Sequence, residues 1–185
     1  MKTFFLLFLV SLLPVLLSAL IYLAERTKVV SKIPYIVRQI LIGILFGGLA
    51  VLGTEFGVKT DGAIINARDA SPICAGLLFG APAGIIAGII GGVERWFAVL
   101  WGAGEYTRLA CSVSTVLAGI FAAVLRKYMF DNKKPKWYYC LAAATITEVI
   151  HMLMIFLTNM TDARTAFSFV RTCSLPMIAV NSIAV

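Results

Sequence analysis

The sequence predicts an all-α integral membrane protein, with five transmembrane helices plus a glycine-rich re-entrant hairpin, or alternatively six transmembrane helices. Three observations predict it. The chain is 61% hydrophobic with a mean hydropathy of +0.95, far above a soluble domain. Its apolar residues fall into six runs, near 3–24, 35–53, 72–92, 106–126, 138–159 and 168–185, each close to the roughly 20 residues that cross a bilayer. Its basic residues gather in short loops between those runs, the pattern of the positive-inside bias. The net charge of +7 therefore reflects membrane topology and not nucleic-acid binding. The 185 residues form a single transmembrane domain.

The first run follows Met1 and Lys2 and continues to Ala24. At about 21 residues it is long enough to span and too long for a signal-peptide core, so it reads as an uncleaved first span. Pro14 inside this run predicts a kink or break, as does Pro82 inside the third. Pro34, Pro72, Pro135 and Pro176 are read as lying near segment starts, where a missing N–H costs little. The loop after the first run carries Arg26, Lys28, Lys32 and Arg38 against Glu25. The loop after the fourth carries Arg126, Lys127, Lys133, Lys134 and Lys136 against Asp131. Both should be cytoplasmic, and two loops on one side are separated by an even number of crossings. Three apolar runs lie between them, so one does not cross.

The third run is the natural exception. Gly76, Gly80, Gly84, Gly88 and Gly92 recur at every fourth position, and Pro82 divides the run into pieces of about ten residues, each ~15 Å as helix. A re-entrant hairpin is tolerated only when packed inside protein, and glycines permit that packing. Five glycines at this spacing drift ~40° per step around a helix, so they signal close packing more than function. Arg68 and Arg95 stand at the two ends. Along one straight helix they would be ~40 Å apart, and only a fold-back brings them to one small ligand.

Buried arginines are costly and usually have an anionic partner or a task. The guanidinium fork matches a carboxylate, so two of them point to a small carboxylate such as a 2-oxo acid. The plainer reading pairs Arg68 with Asp69 and Arg95 with Glu94. Cys111 and Ser114 share a helical face, beside Ser112 and Thr115, and offer donors to a ligand or to a neighbouring helix. Glu148 and His151 have a metal-ligand spacing, but His151 is the only histidine, so no metal site and no cofactor is expected. Asn181 reads as interhelical hydrogen bonding. The four cysteines, Cys74, Cys111, Cys140 and Cys173, show neither zinc spacing nor a disulfide framework. No nucleophile–base constellation, phosphate loop or kinase motif is found anywhere in the sequence.

Several motifs in order resemble the five-transmembrane receptor domain of LytS-type sensor proteins. They are Asn-Ala-Arg-Asp (66–69), Ala-Gly-Leu-Leu-Phe-Gly-Ala-Pro-Ala-Gly (75–84), Glu-Arg (94–95), Cys-Ser-Val-Ser-Thr (111–115) and Asn-Ser-Ile (181–183). The resemblance covers about residues 35–185. It implies a sensor of the bacterial plasma membrane, feeding a cytoplasmic histidine kinase or, in some members, a diguanylate cyclase or phosphatase. It also implies a homodimer, with a response regulator reached through the full-length protein. In pyruvate-sensing members, the positions matching Arg68, Arg95, Cys111 and Ser114 are associated with ligand binding. Asn66, Glu94, Arg108 and Glu148 are secondary candidates. The connection 96–108 is longer than the family's usual short Gly-Gly link, and Glu105 and Arg108 lie where they would reshape the site mouth. Glu94 places a carboxylate where it would compete with an anion.

The expectation is thus a sensor with its N-terminus outside and its C-terminus toward the cytoplasm. It has no output domain of its own, no enzymatic role for this chain and no nucleic-acid partner. Its partners are the bilayer and a small extracellular carboxylate such as pyruvate. The chain ends inside its last predicted span, as a sensor fragment would. The alternative is a substrate-binding subunit of a small-solute transporter, and a third reading is a scaffold without ligand.

Overall fold

The computed structural model describes residues 2–27, 32–60, 63–101 and 104–185. Lys28 of the first basic loop, and Gly102 and Ala103 of the 96–108 connection, lie outside the described residues. In lipid, backbone N–H and C=O groups have to be satisfied within the chain, and continuous helices do this locally. The apolar runs accordingly become α1 (Lys2–Glu25), α2 (Tyr35–Glu55), α4 (Ala81–Phe97), α5 (Arg108–Val124), α6 (Trp137–Thr158) and α7 (Ala163–Ile183). Among the described residues, six helical stretches are long and apolar enough to cross a membrane. A short helix α3 (Ala70–Cys74) runs into a π turn (Ala75–Phe79) ahead of α4. Two short antiparallel strands, β1 (Val58–Thr60) and β2 (Ala63–Ile65), join α2 to α3, an addition that the all-helical expectation lacks.

Polar contacts at the helix ends define two ends of the bundle. Glu25, closing α1, lies 3.9 Å from Arg38 at the start of α2 and 3.6 Å from Lys134 just before α6. Both basic loops therefore meet at one end. At the far end, Trp101 Nε1 donates to Glu55 at the close of α2 (2.8 Å), and the Tyr106 hydroxyl donates to the Asp162 carbonyl (3.3 Å). Helix α2 climbs from the basic end to the far end. The α3–α4 unit then runs down to a tip near Gln39 and Arg126 and returns to Trp101. Helix α5 descends again. The hairpin begins and ends on one side, which satisfies the charge parity.

The break differs in detail from expectation. It falls at Gly80, whose φ of 153° and ψ of 160° are open to glycine almost alone. Pro82 occupies the first turn of α4, where its missing N–H has no helical partner to lose. The limbs are unequal, because α4 has 17 residues. Gln39 closes the break from both sides. Its Nε2 donates to the Phe79 carbonyl (3.0 Å), and its Oε1 accepts from the Ala83 N–H (3.3 Å). One side chain thus satisfies an orphan group on each limb. Pro14 does not break α1, and Pro176 lies within α7, not near its start. Both helices are segments in which the flanking turns carry the backbone bonds past the proline.

Small residues set the packing distances. A Cβ on Gly43 or Gly47 of α2 would meet Ile86 or Ile90 of α4 within 3 Å. A Cβ on Gly92 would meet Val116 and the Ser112 carbonyl of α5 within 3 Å, and one on Gly88 would meet the Thr115 carbonyl at 3.0 Å. The opposite face of α4 shows Ile85, Ile89, Val93 and Trp96 to the surroundings, as a lipid-facing stripe should.

Candidate functional site

The site begins in the turn between β2 and α3. Asn66 Nδ2 donates to the Ile64 carbonyl (2.9 Å), and its Oδ1 accepts from the Arg68 N–H (3.2 Å). Asn66 is thus a backbone-turning residue. Asn181 of α7 holds the same turn from the other side. It accepts from the Ala70 N–H (3.0 Å) and donates to the Asn66 carbonyl (3.0 Å). Gly53 of α2 admits the Arg68 backbone, since a Cβ there would lie 2.9 Å from the Arg68 Cα.

Arg68 is fully buried. Its Nε donates to Thr115 Oγ1 (2.6 Å) and lies 3.3 Å from Asp69 Oδ1. Its terminal nitrogens make longer contacts, Nη1 to Thr54 Oγ1 (3.5 Å) and Nη2 to the Cys111 carbonyl (3.4 Å). Thr115 directs its hydroxyl at Asp69 Oδ1 (2.6 Å) and the Cys111 carbonyl (2.9 Å). The expected Arg68–Asp69 pair is therefore present. Arg95, also fully buried, donates to the Gly104 carbonyl (2.6 Å) and Thr107 Oγ1 (3.2 Å). The Thr107 carbonyl in turn accepts from the Cys111 N–H (2.9 Å), so both arginines reach the first turn of α5. The fold-back brings the two arginines to one place.

Asp69 has a second partner. Its Oδ2 lies 2.8 Å from His151 Nδ1, and His151 Nε2 lies 3.3 Å from Cys111 Sγ. All three residues are buried. With the Nδ1 proton on the carboxylate side, where Asp69 Oδ2 is a close ion-pair contact, Nε2 carries the lone pair that faces the thiol. This places a nucleophile, a base and a charged carboxylate in consecutive contact. It corrects the expectation that no nucleophile–base constellation exists. Asp69, Cys111 and His151 come from three separated segments, so linear spacing carried no signal for it. The one legible hint was a histidine at membrane depth.

The remaining candidates are placed as follows. Glu148 is buried beside His151, at 3.7 Å from Nδ1. Asp69, Glu148 and His151 offer three ligand atoms within 4.8 Å of one another. Both histidine nitrogens are engaged and Arg68 adds a positive charge alongside, so a cation would have to displace an existing partner. Ser114 does not face this centre. Its buried hydroxyl has no partner among the described residues, and it lines a 290 Å³ cleft with Leu117, Phe121, Thr147 and Ile150. Thr115, next along α5, takes the place beside Arg68. Glu94 is half-buried next to Arg95. Arg108 donates to the Trp96 carbonyl (2.8 Å) and stacks on the Trp96 ring at 4.1 Å, which fastens the 96–108 connection to α4. Thr54, Thr107 and Gln39 were missed, because isolated polar residues in apolar runs have no pattern of their own.

Comparison with known proteins agrees with this architecture. The family model described as 5TMR of 5TMR-LYT matches residues 21–185. The sensor histidine kinase BtsS of Escherichia coli (strain K12) is 26% identical over 159 residues, which is 84% of this chain and 27% of BtsS. The sensor protein LytS of Bacillus cereus is 30% identical over 146 residues, 76% of this chain and 23% of LytS. LytS of Staphylococcus epidermidis is 32% identical over 131 residues, 69% of this chain and 21% of its own length. The chain therefore spans about a quarter of the curated relatives it matches. No solved structure matches significantly. A six-helix apolar bundle with this match over most of its length belongs to the 5TMR-LYT family, the multi-pass membrane sensor domain of LytS-like histidine kinases.

Proposed function

We propose that the domain is the receptor for a small extracellular carboxylate such as pyruvate, held between Arg68 and Arg95. The observation that carries the reading is that two fully buried guanidinium groups from the two ends of one hairpin reach the start of α5, Arg68 at the Cys111 carbonyl (3.4 Å) and Arg95 at Thr107, whose carbonyl accepts from the Cys111 N–H. Each arginine has several N–H donors. The terminal nitrogens of Arg68 make only 3.4–3.5 Å contacts, near the limit for a hydrogen bond, so a carboxylate competes with them at little cost. Ser114 opens on the α5–α6 cleft, and the reading therefore gives the carboxylate to the arginines and the neighbouring carbon to Cys111.

The positive-inside bias puts the basic end in the cytoplasm and opens the Arg95 side to the exterior. The C-terminus of α7 then points to the cytoplasm, where a kinase module would follow in a full-length homodimer and act on a response regulator. The named relatives are sensor proteins and sensor histidine kinases, which lends no support to a cyclase output or a transport subunit. The signal has a physical route. Asn181 ties α7 to the turn that carries Arg68, so a ligand that moves Arg68 moves α7. It shifts the equilibrium only by its differential affinity for the two states.

Calorimetry on the chain in nanodiscs, titrated with pyruvate and related acids, tests the reading. Heat is expected for the wild type and not for Arg68→Lys or Arg95→Lys variants that melt like the wild type, because lysine lacks the planar fork. No heat from the wild type, or equal heat from the variants, rejects it.

A further inference from the structure

We infer that Cys111, with His151 and Asp69, captures the carbonyl carbon of a 2-oxo acid as a reversible hemithioketal. The inference rests on the carboxylate-binding reading above and adds a covalent bond to it. Non-covalent binding needs only the two guanidinium groups. It gives no reason for a buried thiol to face an imidazole at 3.3 Å, with that imidazole oriented by a carboxylate at 2.8 Å.

The chemistry follows from the order of the groups. His151 Nε2 accepts the thiol proton, and the resulting imidazolium faces Asp69. The Arg68 guanidinium, 3.4 Å from the Cys111 carbonyl, adds a positive charge close by, the kind of neighbour that favours a thiolate. A carboxylate held by the arginines presents its adjacent carbon to the sulfur. In a 2-oxo acid that carbon is an electrophilic carbonyl, and in a 2-hydroxy acid it is not. The sulfur attacks, the C–S bond forms and the carbonyl π pair moves to oxygen. That oxygen takes the proton from His151 Nε2, which returns to the neutral imidazole. Nothing is oxidised or reduced, and reversal releases the ligand intact. The dyad would thus separate 2-oxo acids from 2-hydroxy acids of the same shape and charge, which two arginines alone do poorly.

The other cysteines serve as internal controls. Cys74, Cys140 and Cys173 are also buried, but they lie in apolar clusters. Among the described residues, only Cys111 has a hydrogen-bonded imidazole.

The test is carbon NMR of the chain in nanodiscs with pyruvate labelled at its ketone carbon, run beside calorimetry. A protein-bound signal is expected in the range of tetrahedral carbons bearing oxygen and sulfur, present in the wild type and absent in Cys111→Ala. The pyruvate-to-lactate affinity ratio should fall about tenfold in Cys111→Ala and in His151→Gln. A loss of packing alone would weaken both acids together and leave that ratio in place. If pyruvate gives heat while its ketone carbon stays trigonal, or if the tetrahedral signal survives Cys111→Ala, the covalent inference is overturned and the binding reading stands. If pyruvate gives no heat at all, both fall.

Discussion

The two limbs of the glycine-rich hairpin solve different problems with different chemistry. The short limb, α3 and its π turn, is buried at almost every position. Its entry turn is held by ionic and amide groups: Arg68, Asp69, Asn66 and Asn181. The long limb, α4, buries Ala83, Gly84, Ala87, Gly88, Gly91, Gly92 and Arg95 and gives its other face to lipid. It is held mainly by backbone approach, with little polar help before Arg95. The lesson is that a segment with no lipid face can carry charge, because every wall around it is protein. A segment that still touches lipid relies on shape. The functional groups sit where the two solutions meet.

Breaking the ionic limb should have the largest effect. Asp69→Ala leaves Arg68 and His151 facing a buried void, and truncating one partner of a buried charge group costs about 3–5 kcal/mol. Thermal unfolding of the chain in nanodiscs should show a large loss, and Asp69→Asn, which keeps the volume and one acceptor, a smaller one. Equal, small losses for both would mean that the pairing is not what holds the short limb.

Breaking the steric limb comes next. A Cβ on Gly84 would lie 2.5 Å from the Gly76 Cα and 2.9 Å from its nitrogen, so the limbs would have to part. Gly84→Ala is expected to cost about 1–3 kcal/mol. Gly48, with nothing within 4 Å of its added Cβ, is the control. Gly48→Ala should be neutral or stabilising by up to ~1 kcal/mol through helix propensity. Similar melting shifts for the two would refute the close-approach account of the glycines.

At the tip, Gln39→Leu removes both bonds that close the Gly80 break. Leaving such groups unmet costs about 1–3 kcal/mol, and faster hydrogen exchange at Ala83 should report it. The smallest effect belongs to the basic end. Glu25 makes only partly exposed, long contacts with Arg38 and Lys134. Glu25→Gln should cost less than about 1 kcal/mol and less still in high salt. A large, salt-insensitive loss would show that the basic end is a structural anchor comparable to the buried cluster.

Much of the architecture was legible because it is written in long apolar runs and in loop charge. Lys134 and Arg38, assigned to one side by charge alone, do meet at Glu25. Gly80 was visible as one rung of a ladder, but nothing local marked it as the break. Its role depends on Gln39 reaching it from another helix. Ser114 and Thr115 are adjacent in sequence, and the face of α5 that carries the polar centre is set by the packing of α4 and α6 around it. Helical spacing and the resemblance pointed to Ser114, which lines the α5–α6 cleft, whereas the hydroxyl that meets Arg68 is that of Thr115.

By itself the sequence determined the helical class and the pair of arginines at the ends of the glycine run, and it offered the hairpin as one of two readings beside six full spans. These depend on hydrophobic length, charge parity and the high cost of a guanidinium in lipid, all of which are properties of single segments. Only the tertiary structure decided that Asp69 serves both Arg68 and His151, and that His151 faces Cys111. Those contacts join residues from different elements at hydrogen-bond distance, and such distances are set by how the helices pack.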